Sequence, residues 1–291
     1  MNFTKLQGAG NDFVLVETDG TNNDWSRMAG DMCDRHFGIG ADGLLLLLPS
    51  NRADLAMRMF NPDGSEAEAC GNGLRCTVKY YASNADWKEG EKERVFHIET
   101  GEGTRRAVVN RQDDGSFDIR VGMGKPELSA GRIPVEMEDR NEVVDIKSML
   151  NYTVTVENTK LPLNLVSMGN PHAVYFTEEK VSDFPLQKVG PVVENHRIFP
   201  NRTNFEVARI INRREIDARV WERGAGETLA CGTGACAIAV AARQQGLVDD
   251  TVKIGLPGGE LNVSWNGNNE VLLGGPAEIV FTGRWPDEAK R

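Results

Sequence analysis

A chain of 291 residues, 40% hydrophobic and 26% charged, has an ordinary globular composition and is too long for one average core, so two domains are expected. A net charge of −10 argues against a nucleic-acid partner. The longest apolar run, Leu44–Leu48, is far too short to cross a bilayer, so no membrane association is expected. The opening MNFTKLQGAGND lacks a basic segment followed by an apolar one, so no signal peptide is read and a cytoplasmic location is expected.

In chain order, DFVLVE reads as a strand, 24–35 as a helix, LLLLLP as a strand, and LAMRMF as another. A helical segment is expected over 71–82, followed by strand-like RVFHIE and FDIRV. In the later part HAVYF, NFEVARI, IDARVW and VLLGG read as strands, with turn residues between them. The helix expected over 232–245 (GTGACAIAVAARQQ) is nearly apolar all round until its end, which predicts burial on every side. The last run, AEIVFTG, follows the end of the second unit and is expected to return to the first.

The two parts match. MRMFNPDGSEAEACGNG (57–73) lies without a gap against ARVWERGAGETLACGTG (218–234), pairing Phe60 with Trp221, Asn61 with Glu222, Glu66 with Glu227 and Cys70 with Cys231. Upstream, GNDFVLVE (10–17) resembles GNPHAVYF (169–176), pairing Asn11 with Asn170. Two similar segments in one order at nearly one offset indicate a duplicated domain, not a short-period solenoid. Several short strands around one buried helix, made twice, predict an α+β fold of two pseudo-symmetric domains. The expected boundaries are 1–122, joined by a C-terminal strand in 276–291, and 123–275.

Five cysteines, an odd number at wide spacing, disfavour a disulfide framework. Cys70 and Cys76 are six apart, and Cys231 and Cys236 five apart. On a helix those offsets are about 240° and 140°, so neither pair shares a face and no metal site is expected. Cys70 and Cys231 each open a helix, where backbone N–H groups lack intrahelical partners and the dipole is positive. Such a turn favours a carboxylate or a thiolate. A thiol near pKa 8.5 is only about 3% ionised at pH 7, and lowering it to about 7 ionises half. The plainer reading is a small buried residue at a helix start, and Cys33, Cys76 and Cys236 are expected to be just that kind of packing residue. For the matched pair, one thiolate removing a proton from a carbon and one thiol returning it from the opposite face would invert a stereocentre. GIGADG (38–43) fits a dinucleotide fingerprint in spelling, but it follows a helix and precedes a strand, the reverse of what that site needs.

At these residues the chain resembles the diaminopimelate epimerases. The likeness runs through GAGNDFV, CDRHFGIGADGL, FNPDGSEAEACGNGLRC, MGNPHAV, TNFEVA, WERGAGETLACGTGACA and GGPAEIVFTG. It implies interconversion of LL- and meso-2,6-diaminopimelate, toward lysine and peptidoglycan precursors, without pyridoxal phosphate or any other cofactor. It also implies an active site in a cleft between the two domains, and a homodimer. Carried over by motif, Cys70 is the base and Cys231 the acid from LL to meso, with roles exchanged in reverse, and His172 and Glu222 tune the two thiols. The helix starts at Gly71–Asn72 and Gly232–Thr233 are assigned to the reacting carboxylate. Asn61, Asn170, Asn204 and Arg223, with Asn11 and Glu222 nearby, are assigned to the distal amino-acid end. Gly43 stands where many members carry Gln, and Phe281 where a Tyr is linked with the dimer contact. The competing readings are a proline- or hydroxyproline-type racemase, which needs no second amino-acid subsite, an isomerase of the same fold without catalytic thiols, and a non-catalytic diamino-acid-binding protein.

Overall fold

The computed structural model describes residues 1–20, 23–67, 70–129, 132–136, 143–146, 149–157 and 159–286. Glu68 and Ala69 of the repeated motif, and the last five residues of the expected 276–291 strand segment, lie outside them. The chain divides into one unit of Met1–Gly122 with Gly274–Arg291 and a second of Met123–Leu273.

The elements of the first part are β1 (Asn2–Gly8), β2 (Asn11–Glu17), α1 (Trp25–Cys33), β3 (Gly43–Leu48), β4 (Leu55–Phe60), β5 (Glu66–Ala67), α2 (Gly71–Asn84), β6 (Glu93–Thr100), β7 (Gly103–Arg111) and β8 (Phe117–Gly122). There follow β9 (Val143–Ile146), β10 (Met149–Val156), β11 (Thr159–Ser167), β12 (Pro171–Phe176), α3 (Leu186–Glu194), β13 (Asn204–Asn212), β14 (Glu215–Glu222), β15 (Gly226–Thr228) and α4 (Gly232–Gln245). The chain closes with β16 (Thr251–Leu256), β17 (Gly259–Ser264), β18 (Leu272–Gly274) and β19 (Glu278–Arg284).

In the first unit the strands run β19-β1-β2-β3-β4-β6-β7-β8, with β5 a short hairpin partner of β4. In the second they run β9-β10-β11-β12-β13-β14-β16-β17, with β15 on β14. Only β2–β3 and β4–β6 are parallel in the first of these orders, and only β12–β13 and β14–β16 in the second. Parallel neighbours need a crossover connection. It contains α1 or α3 at the first step and α2 or α4 at the second. The duplication read from short motifs is therefore a duplication of topology. The returning strand β19 pairs antiparallel with β1, the place β10 takes beside β11 in the second unit.

Each central helix packs within its own unit. α2 lies against β1–β4, β8 and β19, and α4 against β11–β13, β16 and β17. From Gly234 to Ala242 every residue of α4 is buried. The helix stops at Gly246, whose φ of 79° is left-handed, while Leu247 N–H bonds back to Ala242 O. The helix expected over 24–35 is shorter. Asp24 caps its start by accepting from Arg27 N–H, and at its end Asp34 accepts the N–H groups of His36 and Phe37, which turns the chain out. α2 runs two residues past the expected 82. Strands such as β7 and β17 were not legible, because they alternate buried and exposed positions and carry polar residues on the outer face.

Candidate active site

Both matched cysteines occupy the N-cap position, in extended backbone: Cys70 at φ −80°, ψ 128° before α2, and Cys231 at φ −121°, ψ 116° before α4. The first helical bonds run from Leu74 N–H to Cys70 O and from Ala235 N–H to Cys231 O. The preceding N–H groups therefore lie outside the helical ladder, as an anion site requires. None of the five cysteines is in a disulfide.

Around Cys70, the side chains form a polar chain with two unambiguous ends. Asp42 can only accept, so Asn11 turns its amide N–H to it, at 3.1 Å. Asn11 Oδ1 then accepts from Asn72 Nδ2 at 2.5 Å, and Asn72 Oδ1 accepts from the Arg75 guanidinium at 2.7 Å. Asn72 and Arg75, the second and fifth residues of α2, are fully buried. Asp42 and its neighbour Asp12 are both bound by Arg35, and Asp12 also by Lys5. Asn61 closes the β4–β5 turn, its amide donating to Ser65 Oγ at 3.0 Å. A Cβ on Gly43 would stand 3.0 Å from Met59 Cε and 3.1 Å from Phe60 O, so this site is packed for glycine.

Cys231 is more enclosed. Its sulfur accepts from Gly234 N–H at 3.4 Å and lies 3.5 Å from Thr233 Oγ1. Asn170 Nδ2 reaches Thr233 Oγ1 at 3.5 Å, and Asn170 Oδ1 lies 2.9 Å from His172 Nε2. His172 Nδ1 meets Glu206 Oε1 at 2.6 Å, both side chains fully buried. Glu222, at the turn matching that of Asn61, accepts from Thr228 Oγ1 at 2.5 Å. Asn204 is buried and braces the site. Its Nδ2 donates to Pro171 O and its Oδ1 accepts from Arg223 N–H, both at 2.9 Å, which joins the Asn170–His172 segment to the Glu222–Arg223 turn. Its assignment to substrate is thus overlaid by a bracing role, whereas the half-buried Arg223 guanidinium keeps donors beyond its bond to Asn201 O. Glu194 fixes the same turn through Trp221 Nε1 and Gly224 N–H.

Burial pushes the Cys231 thiol well above its ordinary pKa, Glu222 and Glu206 add to that, and the Thr233 and Gly234 donors oppose it. Burial likewise raises Glu206 against the pull of His172. Cys76 is pushed up to about 12 and Cys33 to about 11, both chiefly by burial, so each stays a packed thiol. Among the described residues no three His, Cys, Asp or Glu side chains cluster as a metal ion would need. The sequence reading missed Glu206, Asp42 and Arg75. A signal for Glu206 was present, since a carboxylate inside NFEVA, a run that is otherwise apolar past Asn204, demands a buried partner.

The fold is thus a pair of duplicated α+β units, each opening its central helix with a cysteine. Solved structures share it: a phenazine biosynthesis protein of the PhzF family from Bacillus anthracis has TM-score 0.67 and 18% identity, with 97% of this chain and 98% of that chain covered. A hydroxyproline epimerase from Agrobacterium vitis has TM-score 0.65 and 15% identity, with 97% and 91% covered. The family profile for diaminopimelate epimerase matches residues 3–129 and 164–280. The diaminopimelate epimerase of Halothermothrix orenii is 44% identical over 290 residues, 98% of this chain and 97% of that one. That of Methanococcus maripaludis is 43% identical over 288 residues, 97% and 99%. The chain belongs to the diaminopimelate epimerase family.

Proposed function

We propose that this chain is an isomerase that interconverts LL- and meso-2,6-diaminopimelate by two-thiol acid/base chemistry, in the supply of lysine and peptidoglycan precursors. The observation that carries the reading is the pair of cysteine N-caps on duplicated helices, in a chain about 44% identical to diaminopimelate epimerases along its length. From LL to meso, the Cys70 thiolate takes the α-proton and the Cys231 thiol delivers one to the other face; the reverse direction exchanges the roles. The open N–H groups at 71–72 and 232–233 hold the carboxylate and stabilise the charge that develops on it as the proton leaves. His172 and Glu222 tune the thiols, and Arg223, Asn61, Asn170, Asn204 and Asn11 serve the distal amino-acid end. In this reading the protein needs no cofactor and works in the cytoplasm as a homodimer. The exposed apolar strand β19, with Ile279, Val280 and Phe281, supports a second copy as its cover.

The test is LL-diaminopimelate with purified protein in D₂O, followed by NMR. The α-position should gain deuterium as the meso isomer appears, without added pyridoxal phosphate and in the presence of chelator. No exchange with diaminopimelate, or equal turnover of trans-4-hydroxyproline, would reject the substrate assignment.

A further inference from the structure

The start of α4 holds a donor whose direction is fixed from a distance. Thr233 Oγ1 lies 3.5 Å from Cys231 Sγ, and either atom can hold the hydrogen between them. Asn170 Nδ2 donates to the same oxygen, so the hydroxyl hydrogen points away from Asn170, and a thiolate, which can only accept, takes it. The Asn170 amide keeps that sense because its carbonyl faces His172 Nε2. Behind the ring, Nδ1 meets Glu206 Oε1 with both side chains fully buried. A pair taken wholly out of water is held net neutral. Its shared proton sits on Oε1 or on Nδ1, and in both states Nε2 keeps its hydrogen. Polarity therefore runs one way, from Glu206 and His172 through Asn170 and Thr233 to the sulfur.

We propose that the Thr233 hydroxyl is the side-chain donor that stabilises Cys231 as a thiolate, and that Asn170, His172 and Glu206 are positioning residues that aim it. The charged groups facing this sulfur are Glu222 at the end of β14 and Glu206 on β13, with His172 on β12 bonded to Glu206. Glu222 opposes a thiolate and the net-neutral Glu206–His172 pair brings no charge to help one, so its support comes from Thr233 and the Gly234 N–H. Gly234 leaves the room this needs: a Cβ there would stand 3.1 Å from Glu206 Oε1 and 3.4 Å from Cys231 Sγ. The inference rests on Cys231 being a reacting thiol.

The experiment follows iodoacetamide alkylation of Cys231 and Cys70 against pH by peptide mass spectrometry, without substrate. Thr233→Val keeps the volume, the branching and the backbone N–H. It should move the Cys231 midpoint up by about one to two pH units, the worth of one hydrogen bond to a charged group. At a fixed lower pH that is a roughly ten- to hundredfold slower alkylation. The Cys70 curve should stay in place, and Thr233→Ser should restore Cys231. Asn170→Asp accepts only, so it should draw the hydroxyl hydrogen away and raise the midpoint in wild type, with a smaller added effect on Thr233→Val. In turnover, Thr233→Val should lower kcat and leave KM, because the N–H groups assigned to the carboxylate remain. A Thr233→Val curve that coincides with wild type or moves to lower pH would overturn the proposal, as would equal Asn170→Asp shifts in both backgrounds. If Thr233→Val does not fold, Thr233→Ala carries the same expectation. A chain that shows the thiol shift but no turnover of diaminopimelate would reject the substrate reading and leave this inference standing.

Discussion

The two cysteine turns share a backbone and differ in the side chains that stand behind it. Cys70 is half-buried and makes no capping bond with its side chain, while Cys231 is buried and accepts from Gly234 N–H. A fully buried cation, Arg75, stands one turn into α2, reaching back to Gly71 O and Asn72. In the alignment of the two copies its place is taken by Cys236, and Cys231 faces the carboxylate of Glu222 and the Glu206–His172 pair. Duplication supplied two equal helix starts, and divergence of the side chains around them put a buried guanidinium, Arg75, behind one and a carboxylate, Glu222, beside the other. That is the asymmetry a base and an acid need if they are to begin a reaction in opposite protonation states.

The largest effect tests whether both copies act. Cys70→Ala and Cys231→Ala should each lower the epimerisation rate by about 10²–10⁴ or more, since inversion needs a donor and an acceptor. Cys33→Ala and Cys76→Ala should keep most of the rate, after allowance for any loss of folded protein. Rates near wild type in either of the first two variants would end the paired assignment.

A smaller effect separates the glycines three residues after each cysteine. A Cβ at Gly73 would meet only apolar side chains, nearest Leu45 Cδ2 at 3.1 Å, a flexible end that can give way. The same Cβ at Gly234 would meet Glu206 and Cys231 themselves. Gly234→Ala should therefore cost on the order of tenfold in kcat by displacing the reacting sulfur. Gly73→Ala should leave kcat close to wild type and change stability by about 1 kcal/mol or less. Steady-state kinetics and thermal melts on both variants make the comparison, and similar kcat losses in the two would erase the distinction drawn here.

The smallest effect concerns acid. Burial alone would raise Asp12, but bonds from Arg35 and Lys5, with their charges, outweigh it and hold it at about 2. Its aligned partner in the second unit is Pro171, which carries no charge. A carboxyl lowered on folding stabilises the native state above its unfolded pKa of about 4 and loses that contribution as pH falls toward 2. Asp12→Asn should be the less stable protein above about pH 4, with the gap closing below it. Urea melts from pH 5 to 2 measure it, and a gap that does not change with pH would show that Asp12 acts through shape alone.

The fold was legible where the sequence repeats itself. A gapless match across 57–73 and 218–234 and a helix apolar on all sides were enough to expect two α+β halves built around buried helices. Strands with one wet face were lost, because β7 and β17 alternate too many polar residues to stand out from loops. The site divided in the same way. Cysteine and glycine in matched turns announced themselves by type and spacing, whereas Glu222, by itself an ordinary solvated residue, was singled out only through the resemblance carried by WERGAGET.

By itself the sequence determined the duplication, the two helix starts and the residues that open them, because these are local properties of a contiguous stretch. Only the tertiary structure decided which side chains stand behind them. Glu206 is 34 residues from His172 along the chain, Asn11 61 from Asn72, and Asn170 63 from Thr233. Tertiary packing alone brings them within hydrogen-bond reach, as when parallel β12 and β13 set His172 beside Asn204, two residues before Glu206. Which way each amide turns is then settled by the accept-only and donate-only groups at the ends of its chain, and those partners have no spacing rule from which a sequence could reveal them.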